Sequence, residues 1–136
     1  ALIEGLLDGT IDCIATDHAP HGEEEKQGSM VGAPFGIVGI ETAFQLMYSN
    51  FVLGGVFTLK QLVDWMTVKP AALFGMESGT LDIGSQADIA IFDLENEYEI
   101  RSEDFLSKAT NTPFTGWKVK GETLYTLVDG KVVYTK

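Results

Sequence analysis

The sequence predicts an α/β chain, with helices in its first half and antiparallel strands in its second. Three observations carry that expectation. The apolar run at residues 11–15, Ile-Asp-Cys-Ile-Ala, lacks period-two alternation and so reads as a parallel strand buried on both faces. Apolar residues recur at helical spacing in the following third of the chain. From Glu77 onward the period changes to alternation.

The elements follow in order. Residues 1–7 read as the end of a helix, which Gly9 can stop at its C′ position. Residues 11–16 form the strand. Asp17 stands at its end, with His18 and His21 one and four residues later. From 17 to about 38 no periodicity is found, and a structureless stretch of that length in a compact domain is usually a functional loop. Residues 41–51 read as a helix with Phe44, Met47, Tyr48 and Phe51 on one stripe, ended by Gly54 and Gly55. Thr58 caps a second helix through Met66, whose apolar face is Leu59, Leu62, Val63 and Met66. Pro70 starts a short third helix that Gly75 can terminate. Residues 87–94 read as a strand, 97–100 as a weaker one, and 121–136 as a hairpin around Asp129 and Gly130. A boundary near 77–80 separates a first unit, 1–76, from a small β subdomain, 77–136.

Composition narrows the function classes. A chain of 136 residues with 45% hydrophobic content is long enough for one globular domain. The net charge of −11, with Arg101 the single arginine, argues against nucleic acid and anionic membrane surfaces as partners. No apolar run approaches the ~20 residues of a membrane helix. Cys13 is the single cysteine, which excludes an internal disulfide and fits a reducing cytoplasm; inside the apolar strand it reads as a packing residue. The opening ALIEGLLDG has neither an initiator Met nor an N-cap residue and carries no basic leader, so it reads as cut from something longer.

A helix, a parallel strand and a long loop make one βα step, and in a TIM barrel the ends of such strands carry the chemistry. An aspartate there can ligate a metal through one oxygen and accept a proton through the other. From spacing alone, Asp17 could equally cap a turn between solvated histidines. Gly32, Pro34, Gly36 and Gly39 let backbone approach a ligand, just ahead of a helix start whose free N–H groups suit an anion. They could equally be turn residues. Residues 22–26, GEEEK, read as a solvated loop face.

The segments TDHAPH (16–21) and APFGIVGIETAF (33–44) resemble dihydroorotase, the bacterial type I form of the amidohydrolase superfamily. The likeness continues through PAALFG, GTLDIGSQADIAIFDL and NTPFTGWKVKGETLYTLVDGKVVY. It implies the C-terminal part of a TIM-barrel metal-dependent hydrolase, with the last barrel strand, its flanking helices and a small antiparallel β subdomain. It implies that Asp17 is a zinc ligand and the catalytic general base and acid, and that His21, Phe35 and Gly36 bind substrate. His18 inherits no metal role, and a supporting one is expected. The implied activity is zinc-dependent interconversion of N-carbamoyl-L-aspartate and L-dihydroorotate in pyrimidine biosynthesis, in a cytoplasmic homo-oligomer, with aspartate transcarbamoylase as a candidate partner. The alternatives are another cyclic amidohydrolase acting on hydantoins or allantoin, and a non-catalytic dihydroorotase-like partner of the transcarbamoylase. Lys69 departs from the family, whose members often carry Asn there. The family's HxH pair, site arginine, substrate-binding Asn and other metal ligands are not in this sequence, and Arg101 is poorly placed to replace the arginine.

Overall fold

The computed structural model describes residues 1–136. Helix α1 (Leu2–Asp8) closes on Gly9, whose φ of 85° is the left-handed stop expected of it. The Ile11 amide then donates to Gly5 O at 2.8 Å and turns the chain back along the helix.

Residues 11–16 do not form the expected strand. Their only main-chain tie to a distant element runs from Ile14 N to Trp65 O, at 3.1 Å, and an isolated parallel bridge pairs His18 with Ile37. A strand exists through its ladder partners, and no strand of this chain pairs with 11–16 on either edge. Cys13 is consequently half-buried rather than enclosed.

The long loop contains one helical turn, α2 (Glu23–Lys26), before α3 (Ala43–Met47). Helix α3 runs directly into a π-helical turn, Tyr48–Val52. Its inward face includes the polar residues Thr42 and Gln45 beside Tyr48. Helix α4 (Leu59–Met66) starts at Thr58 with a reciprocal cap: Gln61 N donates to Thr58 Oγ1 (3.2 Å) and Thr58 N to Gln61 Oε1 (2.8 Å). Leu62 (0% exposed) and Trp65 are its buried residues, whereas Leu59 and Val63 are more than a third exposed. The core contact lies toward Trp65 because Phe57 meets it edge-on at 4.9 Å, with Phe51 stacked behind at 5.3 Å. Helix α5 (Val68–Leu73) begins two residues ahead of Pro70, which the first turn tolerates because its amide has no helical partner there.

Five strands follow: β1 (Ile89–Asp93), β2 (Tyr98–Glu99), β3 (Lys118–Val119), β4 (Glu122–Val128) and β5 (Lys131–Thr135). They make an antiparallel sheet in the order β1-β4-β5 and a separate β2-β3 pair. The β4–β5 turn has positive φ at Asp129 (50°) and Gly130 (72°), the backbone that a two-residue hairpin matching strand twist requires.

The β region packs on α3 through specific contacts. Phe44 stacks on Phe92 of β1 with centroids 3.9 Å apart. Glu41 caps a loop by accepting from Leu106 N (2.7 Å) and Ser107 N (2.9 Å). Lys120 N donates to Ser49 Oγ at 2.8 Å. Burial pushes the Tyr98 phenol up to about 12, helped by the charge of Glu122 and opposed by a hydrogen bond with Gln45. Much apolar surface stays uncovered on the first unit, including Leu2, Ile40, Leu73 and Phe74.

Candidate active site

Asp17 lies where residues 11–16 meet the loop, at φ 46°. Aspartate is among the few side chains that enter the left-handed region, and such strained positions cluster at functional sites. Its side chain is exposed.

His18 faces the other way. Its Nδ1 accepts from Gly39 N (3.0 Å) and Ile40 N (3.4 Å), which puts the neutral ring's proton on Nε2. The N–H groups ahead of α3 are therefore taken by an imidazole and are not free for an anion. These bonds from His18 tie the two ends of the loop together.

His21, Phe35 and Gly36 form one group. His21 Nε2 donates to Phe35 O at 2.9 Å, and its Nδ1 lies 3.6 Å from Glu25 Oε2. The Phe35 side chain is 94% exposed, so this residue is tied down through its backbone. At Gly36 φ is 127°, and a Cβ there would lie 2.4 Å from Ala19 Cβ and 3.3 Å from His21 Nε2. Only glycine fits without displacing that strand of the loop. Gly39 is similarly pressed, since a Cβ would lie 2.8 Å from Thr16 O.

The GEEEK segment is not merely a solvated face. Glu23 and Glu24 are exposed, but Glu25 Oε2 accepts from Gly22 N at 2.8 Å and also approaches His21. Lys26 is half-buried, and its Nζ donates to Pro34 O (2.6 Å) and Gly36 O (2.7 Å). Isolated carbonyls of an irregular loop must find donors, and one ammonium serves two of them.

Asn111, from the β region, completes the group. Its Oδ1 accepts from His21 N (3.0 Å), its Nδ2 donates to Gly36 O (3.0 Å), and its carbonyl accepts from Val38 N (3.0 Å). Sequence reasoning missed Glu25, Lys26 and Asn111 as parts of the site. A single cation closing an acidic run, and an Asn ahead of Thr-Pro, were the only local signals.

The structure thus gathers His21, Phe35 and Gly36 and leaves Asp17 apart from them at the loop's entrance. No group of three or more His, Cys, Asp or Glu side chains able to hold a metal forms within the chain. His18 Nδ1 and His21 Nε2 are engaged and no such cluster forms, so the exposed Asp17 carboxylate fits as one ligand of a shell that other residues must close.

Residues 1–133 match the amidohydrolase family, and the chain belongs to that family. Its relatives include the dihydroorotases of Enterococcus faecalis, 66% identical over all 136 residues, and of Geobacillus thermodenitrificans, 60% identical over the same length. The chain spans about a third of these relatives, 32% of each. Among solved structures, the D-hydantoinase of Bacillus sp. AR9 aligns at a TM-score of 0.90 and 33% identity, over 98% of this chain and 30% of that one. The L-hydantoinase of Arthrobacter aurescens aligns at 0.90 and 38%, over 99% and 31%. The fold class is the one expected: α/β, a piece of a TIM-barrel hydrolase carrying a small antiparallel sheet. No helix is long and apolar enough to cross a membrane.

Proposed function

We propose that this chain is the C-terminal part of a dihydroorotase, which interconverts N-carbamoyl-L-aspartate and L-dihydroorotate in cytoplasmic pyrimidine biosynthesis. The observation that carries the reading is the margin of identity. Dihydroorotases match at 60–66% along the whole chain, whereas the hydantoinases of nearly the same backbone match at 33–38%.

Asp17 is the residue for proton transfer. Its exposed carboxylate, held at the loop entrance, takes a proton from the water that adds to the ring amide carbonyl and returns it to the departing nitrogen as the C–N bond breaks. Zinc, bound partly through Asp17, would supply Lewis-acid polarisation of the amide carbonyl. His21, Phe35 and Gly36 form the substrate-binding edge, where main-chain donors, braced by the His21 imidazole through the Phe35 carbonyl, meet a carboxylate-bearing substrate. Residues 1–76 belong to the barrel and 77–136 to the β subdomain, and the complete protein is a homo-oligomer that could associate with aspartate transcarbamoylase.

The test is a substrate panel of dihydroorotate, hydantoin and allantoin on a full-length protein containing these 136 residues. Dihydroorotate should be turned over preferentially, and Asp17→Asn should lower kcat by ~10²–10⁴-fold because an amide cannot take the proton. Preference for hydantoin would move the protein to the hydantoinases. Near-normal kcat in Asp17→Asn would remove Asp17 from the chemistry.

A further inference from the structure

Three consecutive carbonyls of the loop, those of Pro34, Phe35 and Gly36, are all held from inside the chain. Lys26 Nζ binds the first and third at 2.6 and 2.7 Å, His21 Nε2 the second at 2.9 Å, and Asn111 Nδ2 binds the third again at 3.0 Å. The same Asn111 side chain accepts from the His21 amide, so one amide group joins both halves of the proposed substrate edge.

The pattern has an electronic consequence. Each carbonyl shares a peptide group with the next residue's N–H, so the Pro34 carbonyl is conjugated to the Phe35 amide and the Phe35 carbonyl to the Gly36 amide. Neither of those two amides donates to a main-chain or side-chain acceptor in the chain, whereas their carbonyls are bound by an ammonium and an imidazole. Donors on a carbonyl oxygen polarise its peptide group and make its N–H a stronger donor. The result is two polarised N–H groups on neighbouring residues with no partner in the chain, one backed by a half-buried ammonium and the other by an imidazole, donors suited to a carboxylate.

We propose that Lys26 and Asn111 are positioning residues that hold Phe35, Gly36 and His21 in the geometry that binds the substrate's carboxylate. This rests on the reading that those three residues contact substrate. Neither Lys26 nor Asn111 need touch it. Lys26 sets the direction and donor strength of the segment, and Asn111 fixes its distance from His21.

The experiment compares Lys26→Met, Lys26→Arg, Asn111→Ala, the double variant Lys26→Met/Asn111→Ala and His21→Ala in a full-length protein containing this chain. Steady-state kinetics, metal content and amide hydrogen exchange of residues 34–38 are read for each. Lys26→Met and Asn111→Ala should each raise KM about tenfold with kcat changed less than about threefold, and metal content should hold. Lys26→Arg should recover most of the loss. The double variant should lose less than the product of the two, because both residues act on the Gly36 carbonyl. Exchange at residues 34–38 should quicken in both single variants without substrate. If His21→Ala raises KM and the Lys26 and Asn111 variants do not, the proposal is overturned while the binding edge stands. If His21→Ala leaves KM unchanged, the binding edge itself fails, and faster exchange would then report a loop brace with no part in binding, which also overturns the proposal. Equal losses of kcat and metal would mean general unfolding, again against it.

Discussion

Replacing Gly36 by alanine would measure how tightly the binding edge is held. The added Cβ would sit 2.4 Å from Ala19 Cβ, whereas ordinary van der Waals contact begins near 3.4 Å, so the two strands of the loop must part by about 1 Å. The φ of 127° adds backbone strain of about 1–3 kcal/mol for any residue with a side chain. The loop should yield before the fold does, because its ties here are polar bonds to Lys26, His21 and Asn111 rather than core packing. A displacement of about 1 Å at a binding group can cost ~10²-fold in rate. In a full-length protein, Gly36→Ala should therefore lower kcat/KM for dihydroorotate by about that factor, or ~2.7 kcal/mol of transition-state stabilisation. Thermal melting should move by less than about 5 °C. Gly28→Ala is the control, since Gly28 has a similar φ of 116° in the same loop but open space where a Cβ would go. It should stay within about fivefold of the parent. If Gly36→Ala proves as active as Gly28→Ala, close packing against Ala19 does not set the geometry of the site, and the reasoning fails.

Other outcomes can be checked beside it. His21→Ala should raise KM about tenfold or more while metal content holds, and stoichiometric metal loss would make His21 a ligand instead. Tyr98, raised from 10.0 to about 12 by burial, should stay protonated in an ultraviolet titration where ordinary tyrosines have ionised. Because the folded form binds that proton more tightly, its contribution to stability is complete below pH 10 and is lost between about pH 10 and 12; Tyr98→Phe should flatten this part of the stability curve. The isolated 136-residue chain should self-associate through exposed apolar side chains such as Ile40, Leu73 and Phe74 and show no dihydroorotate hydrolysis with added zinc. A monomer in sedimentation, or robust turnover free of contaminating enzyme, would contradict this.

What could be read from the sequence was what local chemistry decides. Thr58 with Gln61, Gly9 after α1, and Asp129-Gly130 between two alternating runs all behave as their residue types require. The segment 11–16 was legible as apolar, but a strand is made by its ladder partners, and no strand of this chain pairs with it. The buried face of α4 was misjudged by a fraction of a turn because helical spacing gave no hint that Phe57 would pair with Trp65. At the site, the resemblance named His21, Phe35 and Gly36, and the structure brings them together. Lys26 and Asn111 were hidden for opposite reasons. Lys26 sits in a charged run that looks like surface, and Asn111 acts on residues it meets only after the chain has folded back.

That fold-back gives the site a place in the order of folding. Bringing Asn111 to His21 in an otherwise open chain closes a long loop, at an entropic cost of about 4 kcal/mol, more than two or three side-chain hydrogen bonds are expected to return. The stacking of Phe44 on Phe92 joins the two regions partway along; shortening the loop lowers the cost by less than about 1 kcal/mol, so the apolar contacts made at that junction must offset most of the rest. The loop around His21 should therefore acquire its shape last, after the aromatic contact has formed. Any lesion that loosens Phe44, Phe92 or the C-terminal strands would then silence the site from a distance, with every substrate-binding side chain still present and chemically intact.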